Sequence, residues 1–262
     1  MTVVITQPTY LPWLGYFEQI AAADDFVFLD TVQFTKQSWQ CRNRLKGSNG
    51  APIWLTVPIA SHSLDTPIHA IRIAPTPPQW RRKHLRTVEQ CLRNAPHFDR
   101  FFPAIAHWLE SGHDSLADLN IAGIRLFAAV FGLRPRFHRA SQLGCRGRRS
   151  ELLVDICTRL GASRYYASRG SQVYLEEDRR LFDAAGISIR YQDWEHPVYP
   201  QQGAGFVSHL SVLDALMNAG PEAARRYLLG SGAEGGTDAE AASRRLPSEP
   251  RPRHPEALGE LV

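Results

Sequence analysis

The sequence predicts an α/β protein: a mainly parallel sheet built from two βαβ blocks, with a helical subdomain between them. Val3-Val4-Ile5 and Phe26-Val27-Phe28-Leu29 are short, continuously apolar runs, and the helix expected between them carries Leu14, Phe17 and Ile20 on one face. Apolar strands joined by a helix are buried on both faces and run parallel. Residues 150–191 alternate helix and strand in the same way. Between the blocks, residues 80–132 show only helical periodicity.

Pro8 and Pro12 break the chain after the first run into a loop, and a helix is expected over 13–23. Residues 31–49 are polar, aromatic and basic; Trp54-Leu55-Thr56-Val57 then reads as a strand closed by Pro58, and Ile71-Arg72-Ile73 as a candidate for another. Helices are expected over 80–93, over 98–109, and from an Asp114 N-cap through Leu116, Leu119, Ile124 and Phe127 to a stop at Gly132. Ser150 is expected to cap a helix bearing Leu153 and Ile156, with Gly161 at C′. Strands over 165–167 and 187–191 flank a helix over 176–185, and a loop over 193–205 leads to a helix over 208–219. Gly220 follows, then Pro221 at N1 of a last helix.

Residues 1–229 are thus expected to form a single α/β domain with a helical insert at about 80–132. After Leu229, Gly, Ala, Ser, Pro and charged residues dominate. Such a stretch buries too little apolar surface to offset its ordering entropy, so 230–262 is expected to be disordered.

The chain has 262 residues, 44% of them hydrophobic and 21% charged, an ordinary globular balance. No apolar run approaches the ~20 residues needed to span a bilayer, and the start lacks the basic n-region of a secretory signal. Cys41, Cys91, Cys145 and Cys157 have neither CxxC nor zinc spacing, so no metal site is expected and a reduced, cytoplasmic setting follows. Net charge is +4; with four Arg against six acids from Gly230 onward, the tail carries −2 and the body +6. A basic body suits a small-molecule or carrier-bound anionic substrate. Without a nucleic-acid-binding motif, it argues against duplex nucleic acid.

The loop after a first parallel strand, running into a helix start, is where open α/β sheets bind ligands. Gln7, Tyr10, Trp13 and Gly15 occupy that place in QPTYLPWLGYFEQI. Tyr10 and Trp13 offer flat faces and Gly15 a close backbone approach, although the same residues also suit a core. Asp30 ends the second apolar run, Gln33 follows, and Arg42 and Asn43 lie on the next segment. Together they suit a substrate with amine, amide and anionic ends, Arg42 gripping an anion through its planar fork. Asp30 is equally suited to a strand-end cap. Arg42 beside Cys41 favours a lowered thiol pKa, and a small buried hydrophobe is the other reading of Cys41.

His84 follows Arg81, Arg82 and Lys83 and fits an anion contact. His196 stands in a proline-rich loop after a strand, where a general base belongs, with Tyr199 and Gln201 close behind. Packing within the loop is the alternative. Ser168 and Gly170 lie just beyond another strand in a weakly phosphate-like turn. That turn carries no GxGxxG or GxxxxGK[ST] pattern, and no GxSxG stretch is present in the chain. Asp214 reads as an exposed helical acid unless it and Ser211 face the sheet edge.

These stretches also resemble a known family. QPTYLPWLGYFEQI and ADDFVFLDTVQFTKQSWQCRNRLK are similar to the signature of the WbqC-like family, and so are KHLRTVEQCL, YYASRGSQVYL and HPVYPQ…F…LSVLDALMNAG. The resemblance brings Tyr174 into the substrate-binding set. It implies an acyl or aminoacyl transferase, glycine-type transfer included, in surface polysaccharide or specialised-metabolite biosynthesis. Two positions depart from the family pattern: Thr6 stands where many members have His, and Cys41 where they have Asn. The reading places His196 as base, Asp30 as orienting carboxylate, and Arg42 and Asn43 as anchors. No cofactor follows from these residues. Nucleotidyl transfer and a non-catalytic carrier- or partner-binding module are the other readings. A pocket is expected between the N-terminal loop and residues 30–43.

Overall fold

The computed structural model describes residues 1–230, so the expected disordered tail lies outside the described residues apart from Gly230. The strands are β1 (Thr2–Thr6), β2 (Asp25–Phe28), β3 (Arg42–Lys46), β4 (Pro52–Thr56), β5 (Arg136–Arg139), β6 (Arg164–Ala167) and β7 (Ser188–Tyr191). The helices are α1 (Leu14–Ala22), α2 (Trp80–Leu92), α3 (Phe98–Glu110), α4 (Leu116–Val130), α5 (Ala140–Leu143), α6 (Arg149–Arg159), α7 (Gln172–Glu177), α8 (Arg179–Ala184) and α9 (Val212–Leu229).

Five strands form one parallel sheet in the order β5-β2-β1-β6-β7. Renumbered within the sheet, this is 3-2-1-4-5, the winding of dinucleotide-binding folds. The chain runs outward from β1 through β2 to β5, then crosses back to β6 on the other side of β1. Val3, Ile5, Val27, Leu29, Tyr165 and Ala167 face one core with Leu153, Ile156 and Phe182 of α6 and α8. Val4, Phe26, Phe28 and Tyr166 face the other, with α1 to α4 and α9. Alternate residues therefore bury against separate helical layers, which is why these strands are apolar without a break.

The sequence expectations hold for the parallel blocks and shift elsewhere. β4 pairs antiparallel with β3, a strand hidden in the basic segment, to form a separate hairpin. Ile71-Arg72-Ile73 makes isolated bridges to Ile59 and Ser115 and no strand. The polar sequence of β5 gave no strand signal; it is an edge strand whose Arg136 and His138 hold the buried Asp25 of β2. Ser115, and not Asp114, caps α4 by accepting from the Asp118 N–H. Ser150 lies inside α6, its hydroxyl donating to Asp178 at 2.6 Å. The helix expected over 176–185 is two, α7 and α8, meeting at Asp178. Gly220 takes φ 82°, so the two expected C-terminal helices abut as α9.

Candidate functional site

In an open α/β sheet, neighbouring strands whose crossovers leave in opposite directions part at their C-terminal ends and create a crevice. Here those strands are β1 and β6. Their ladder pairs Thr2 with Arg164 and Val3 with Tyr165 and goes no further, whereas β1–β2, β2–β5 and β6–β7 each pair four residues. Gln7 follows β1, and Ser168 follows β6.

Gln40 holds the Gln7 side chain, its Nε2 donating to Gln7 Oε1 at 2.7 Å, which leaves the Gln7 Nε2 protons as donors for a ligand. Across the crevice, Ser168 Oγ and Ser171 Oγ are 2.7 Å apart, and Ser171 in turn bonds the Tyr174 hydroxyl. Burial raises the Tyr174 phenol, against the lowering by Ser171 and Arg149. Gly170 is exposed in the same turn.

On the α1 side of this edge stands a carboxyl that sequence reasoning did not single out. Glu18 Oε1 accepts from the Tyr166 hydroxyl at 2.8 Å and Oε2 from Gln192 Nε2 at 2.5 Å. Gln192 also donates to the Gly15 carbonyl and accepts from Gln19 Nε2, so α1, β6 and β7 meet in one network. Glu18 is partly exposed, and burial raises its pKa, against the lowering by Tyr166, Gln192 and Arg190. Its signal in the sequence was faint: a lone acid in the otherwise uncharged α1, with a glutamine just past a strand end.

The QPTYLP loop is tied to residues 39–43, as expected, but as packed structure. Tyr10 N–H donates to the Trp39 carbonyl at 2.9 Å. Asn43 Nδ2 donates to the Tyr10 and Leu11 carbonyls, and Asn120 Nδ2 to those of Pro8 and Gln40. Tyr10 is fully buried, its hydroxyl 2.9 Å from His84 Nδ1. Burial brings His84 down to about 4, with Lys83 adding to the effect and a bond to the Thr56 backbone opposing it. Tyr10, Asn43 and His84 thus shape the loop from behind.

Trp13, Trp194, His196, Tyr199, Phe206 and His209 form one aromatic cluster, with Trp13 stacked on His196 at 6.0 Å. His196 Nδ1 bonds the Pro197 carbonyl at 2.9 Å, and its Nε2 accepts from the His209 N–H at 3.1 Å. Both ring nitrogens are therefore engaged, and burial with the neighbouring His209 brings the imidazole down to about 4. Gln201 pins the loop by donating to and accepting from Val207. The space above Gly15 is filled by the indole of Trp13, which a Cβ there would meet at 2.2 Å. Gly15→Ala is expected to destabilise the protein by about 1–3 kcal/mol, the usual cost of overpacking, as read by urea unfolding.

Asp30 is fully buried, with Oδ1 accepting from the Ser141 N–H at 2.9 Å and Oδ2 from its hydroxyl at 2.7 Å. Gln33 Nε2 donates to the Leu64 carbonyl. Arg42 lies over the Trp54 ring at 4.4 Å on the outer face of the hairpin. No contact joins these three, so the constellation of Asp30, Gln33, Arg42 and Asn43 is spread over separate structural tasks. Burial raises the Cys41 thiol despite Arg42, and its Sγ donates to the Ser38 carbonyl, so it is the buried hydrophobe of the two readings. Gln7, Ser168, Gly170 and Tyr174 are the sequence candidates that remain at the crevice.

A surface cleft of about 380 Å³, lined by Asp24, Arg134, Arg136 and Arg225 among others, lies at the opposite edge, where β2 and β5 begin. Among the described residues, no group of three or more His, Cys, Asp or Glu is gathered to hold a metal ion. No helix among them is long and apolar enough to cross a membrane.

Uncharacterized protein Rv1507c of Mycobacterium tuberculosis (strain ATCC 25618 / H37Rv) is 32% identical over 224 residues, covering 84% of this chain and 95% of that protein. No solved structure matches. The model of the WbqC-like protein family matches residues 7–226, from the crevice glutamine into the last helix, and the chain belongs to that family.

Proposed function

We propose that this WbqC-like chain transfers an acyl or aminoacyl group to an amine or hydroxyl acceptor held in the crevice between β1 and β6. The observation that carries the reading is the partly exposed Glu18 carboxyl at this edge, with its raised proton affinity. A general base works best with a pKa moved towards the operating pH.

In the proposed step the acceptor nitrogen or oxygen attacks the donor's carbonyl carbon. The new N–C or O–C bond forms as the bond to the leaving group breaks, and the leaving group departs with the electron pair. Glu18 takes the acceptor's proton. Gln7, Ser168 and Tyr174 orient the acceptor by hydrogen bonds. His196 and Asp30 support this reading indirectly, one holding the aromatic cluster behind Trp13 and the other the start of α5.

A second reading, binding of a carrier or partner without catalysis, draws on the burial of Tyr10 and the Trp13 cover over Gly15. One experiment separates the two. Acyl thioesters, acyl phosphates and aminoacyl adenylates are offered with an amine acceptor, and products are read by mass spectrometry. Glu18→Gln is expected to slow turnover about a hundredfold, the scale of a lost general base, and to remove the acidic limb of the pH profile. That limb lies above the ordinary carboxylate value, because ionisation of Glu18 is disfavoured in the fold. Absence of transfer across the panel, or an unchanged rate and profile in Glu18→Gln, would defeat the transferase reading.

A further inference from the structure

The hairpin of β3 and β4 carries a second surface of chemical interest. Asn43 and Leu45 point inward, so Arg42 and Arg44 share the opposite face, where Arg44 pairs directly with Trp54. Trp39 packs on Trp54 with ring centroids 5.5 Å apart. Arg42 sits over Trp54 at 4.4 Å and Arg44 over Trp39 at 6.0 Å, giving a ladder Arg42–Trp54–Trp39–Arg44. Trp54 is 44% exposed.

Two features set this ladder apart from an ordinary solvated basic face. First, neither arginine is ion-paired among the described residues. Burial nevertheless lowers the pKa of Arg44. Second, the Arg42 guanidinium lies on an indole that is itself exposed, so a flat cation and an aromatic ring are offered together at the surface.

We propose that this face binds a small phosphorylated aromatic ligand of the nucleotide class. Its planar ring extends the Arg42–Trp54 stack, and its phosphate lies in the fork of Arg42. Guanidinium forks match phosphate oxygens bidentately. Rings stack on tryptophan and on guanidinium planes alike. Arg42 is already held by its cation–π contact, so little side-chain freedom is lost on binding. The Trp39 carbonyl accepts from Tyr10 N–H, which connects the surface to the loop that borders the crevice.

The test titrates the full chain with uridine and adenosine diphosphates, read by tryptophan fluorescence and calorimetry. Uridine, inorganic pyrophosphate and a short RNA serve as comparators. Either diphosphate should bind at least tenfold more tightly than uridine or pyrophosphate alone, and more weakly as salt rises. Arg42→Ala should weaken binding about tenfold to hundredfold. Trp54→Ala should weaken it about tenfold, and Arg42→Lys, keeping charge without the fork, should fall between wild type and Arg42→Ala. Glu18→Gln should bind as the wild type does, which separates this surface from the crevice reading. The proposal is overturned if neither diphosphate binds, if pyrophosphate binds equally well, if only RNA binds, or if the folded Arg42 and Trp54 variants retain full affinity.

Discussion

Asn43→Ala is expected to lower the unfolding free energy by about 3–5 kcal/mol, from the loss of hydrogen bonds at two buried carbonyls and one partly buried amide, worth ~1–3 kcal/mol each. The Asn43 side chain is buried and fully committed. Its Nδ2 donates to the Tyr10 carbonyl at 3.2 Å and to the Leu11 carbonyl at 2.7 Å, and its Oδ1 accepts from the Arg44 N–H at 2.8 Å. Leu11 has φ 46°, a left-handed conformation that costs a residue with a Cβ about 1–2 kcal/mol. Such a conformation persists only where neighbouring contacts over-determine it, and Asn43 supplies two of them. Alanine leaves both carbonyls and the amide without partners. Thermal denaturation should show a drop of roughly 10 °C, at about 2–4 °C per kcal/mol for a chain of this size. A loss below about 1 kcal/mol would mean that the loop is held by other groups.

The second large effect concerns Asp214, which the structure places in the first turn of α9 and buries almost completely. Burial pushes its carboxyl up to about 6, against the opposing influence of Tyr199, Gln201 and the Lys46 charge. Asn218 Nδ2 reaches Oδ1 only at 3.4 Å, and Oδ2 has no well-formed hydrogen bond. The folded value exceeds the ordinary 3.8, so the folded state binds this proton more tightly than the unfolded one. The resulting stability is fully present below about 3.8 and is lost as pH rises through about 6. That rise from 3.8 to about 6 corresponds to about 3 kcal/mol. Asp25 and Glu176, whose values are lowered mainly by hydrogen bonds from Arg136 and Arg179, act in the opposite sense. The clean measurement is therefore a difference. Melting temperatures of wild type and Asp214→Asn are compared from pH 4 to pH 8, and the wild type should lose ground to the variant as pH rises. Parallel curves would show that Asp214 is ionised without penalty.

The sequence by itself determined the parallel blocks, because strands buried on both faces must be apolar throughout and a helix between them must show a 3.6-residue stripe. Val3 to Ile5, Phe26 to Leu29 and the α1 stripe met both conditions without reference to the rest of the chain. It determined the family as well, since that resemblance rests on the order of local stretches and needs no coordinates. β5 was not legible, because an edge strand with Arg136 and His138 is chosen by its partner Asp25 and not by its own hydrophobicity. The site divided along the same line. Gln7 and Ser168 could be placed from their positions just past strand ends, but Glu18 has its pKa raised by burial among segments far along the chain, against the lowering by its hydrogen bonds from Tyr166 and Gln192. Asp214 looked like a surface acid on its helix until Tyr199 and Gln201 closed over it. Tyr10, Trp13 and His196 carry side chains that suit a ligand, and only the tertiary structure decided that their partners are His84, Gly15 and His209. Residue type and spacing state what a side chain is able to do; which groups surround it, and so which of those capacities is used, depends on contacts between segments far apart in the chain.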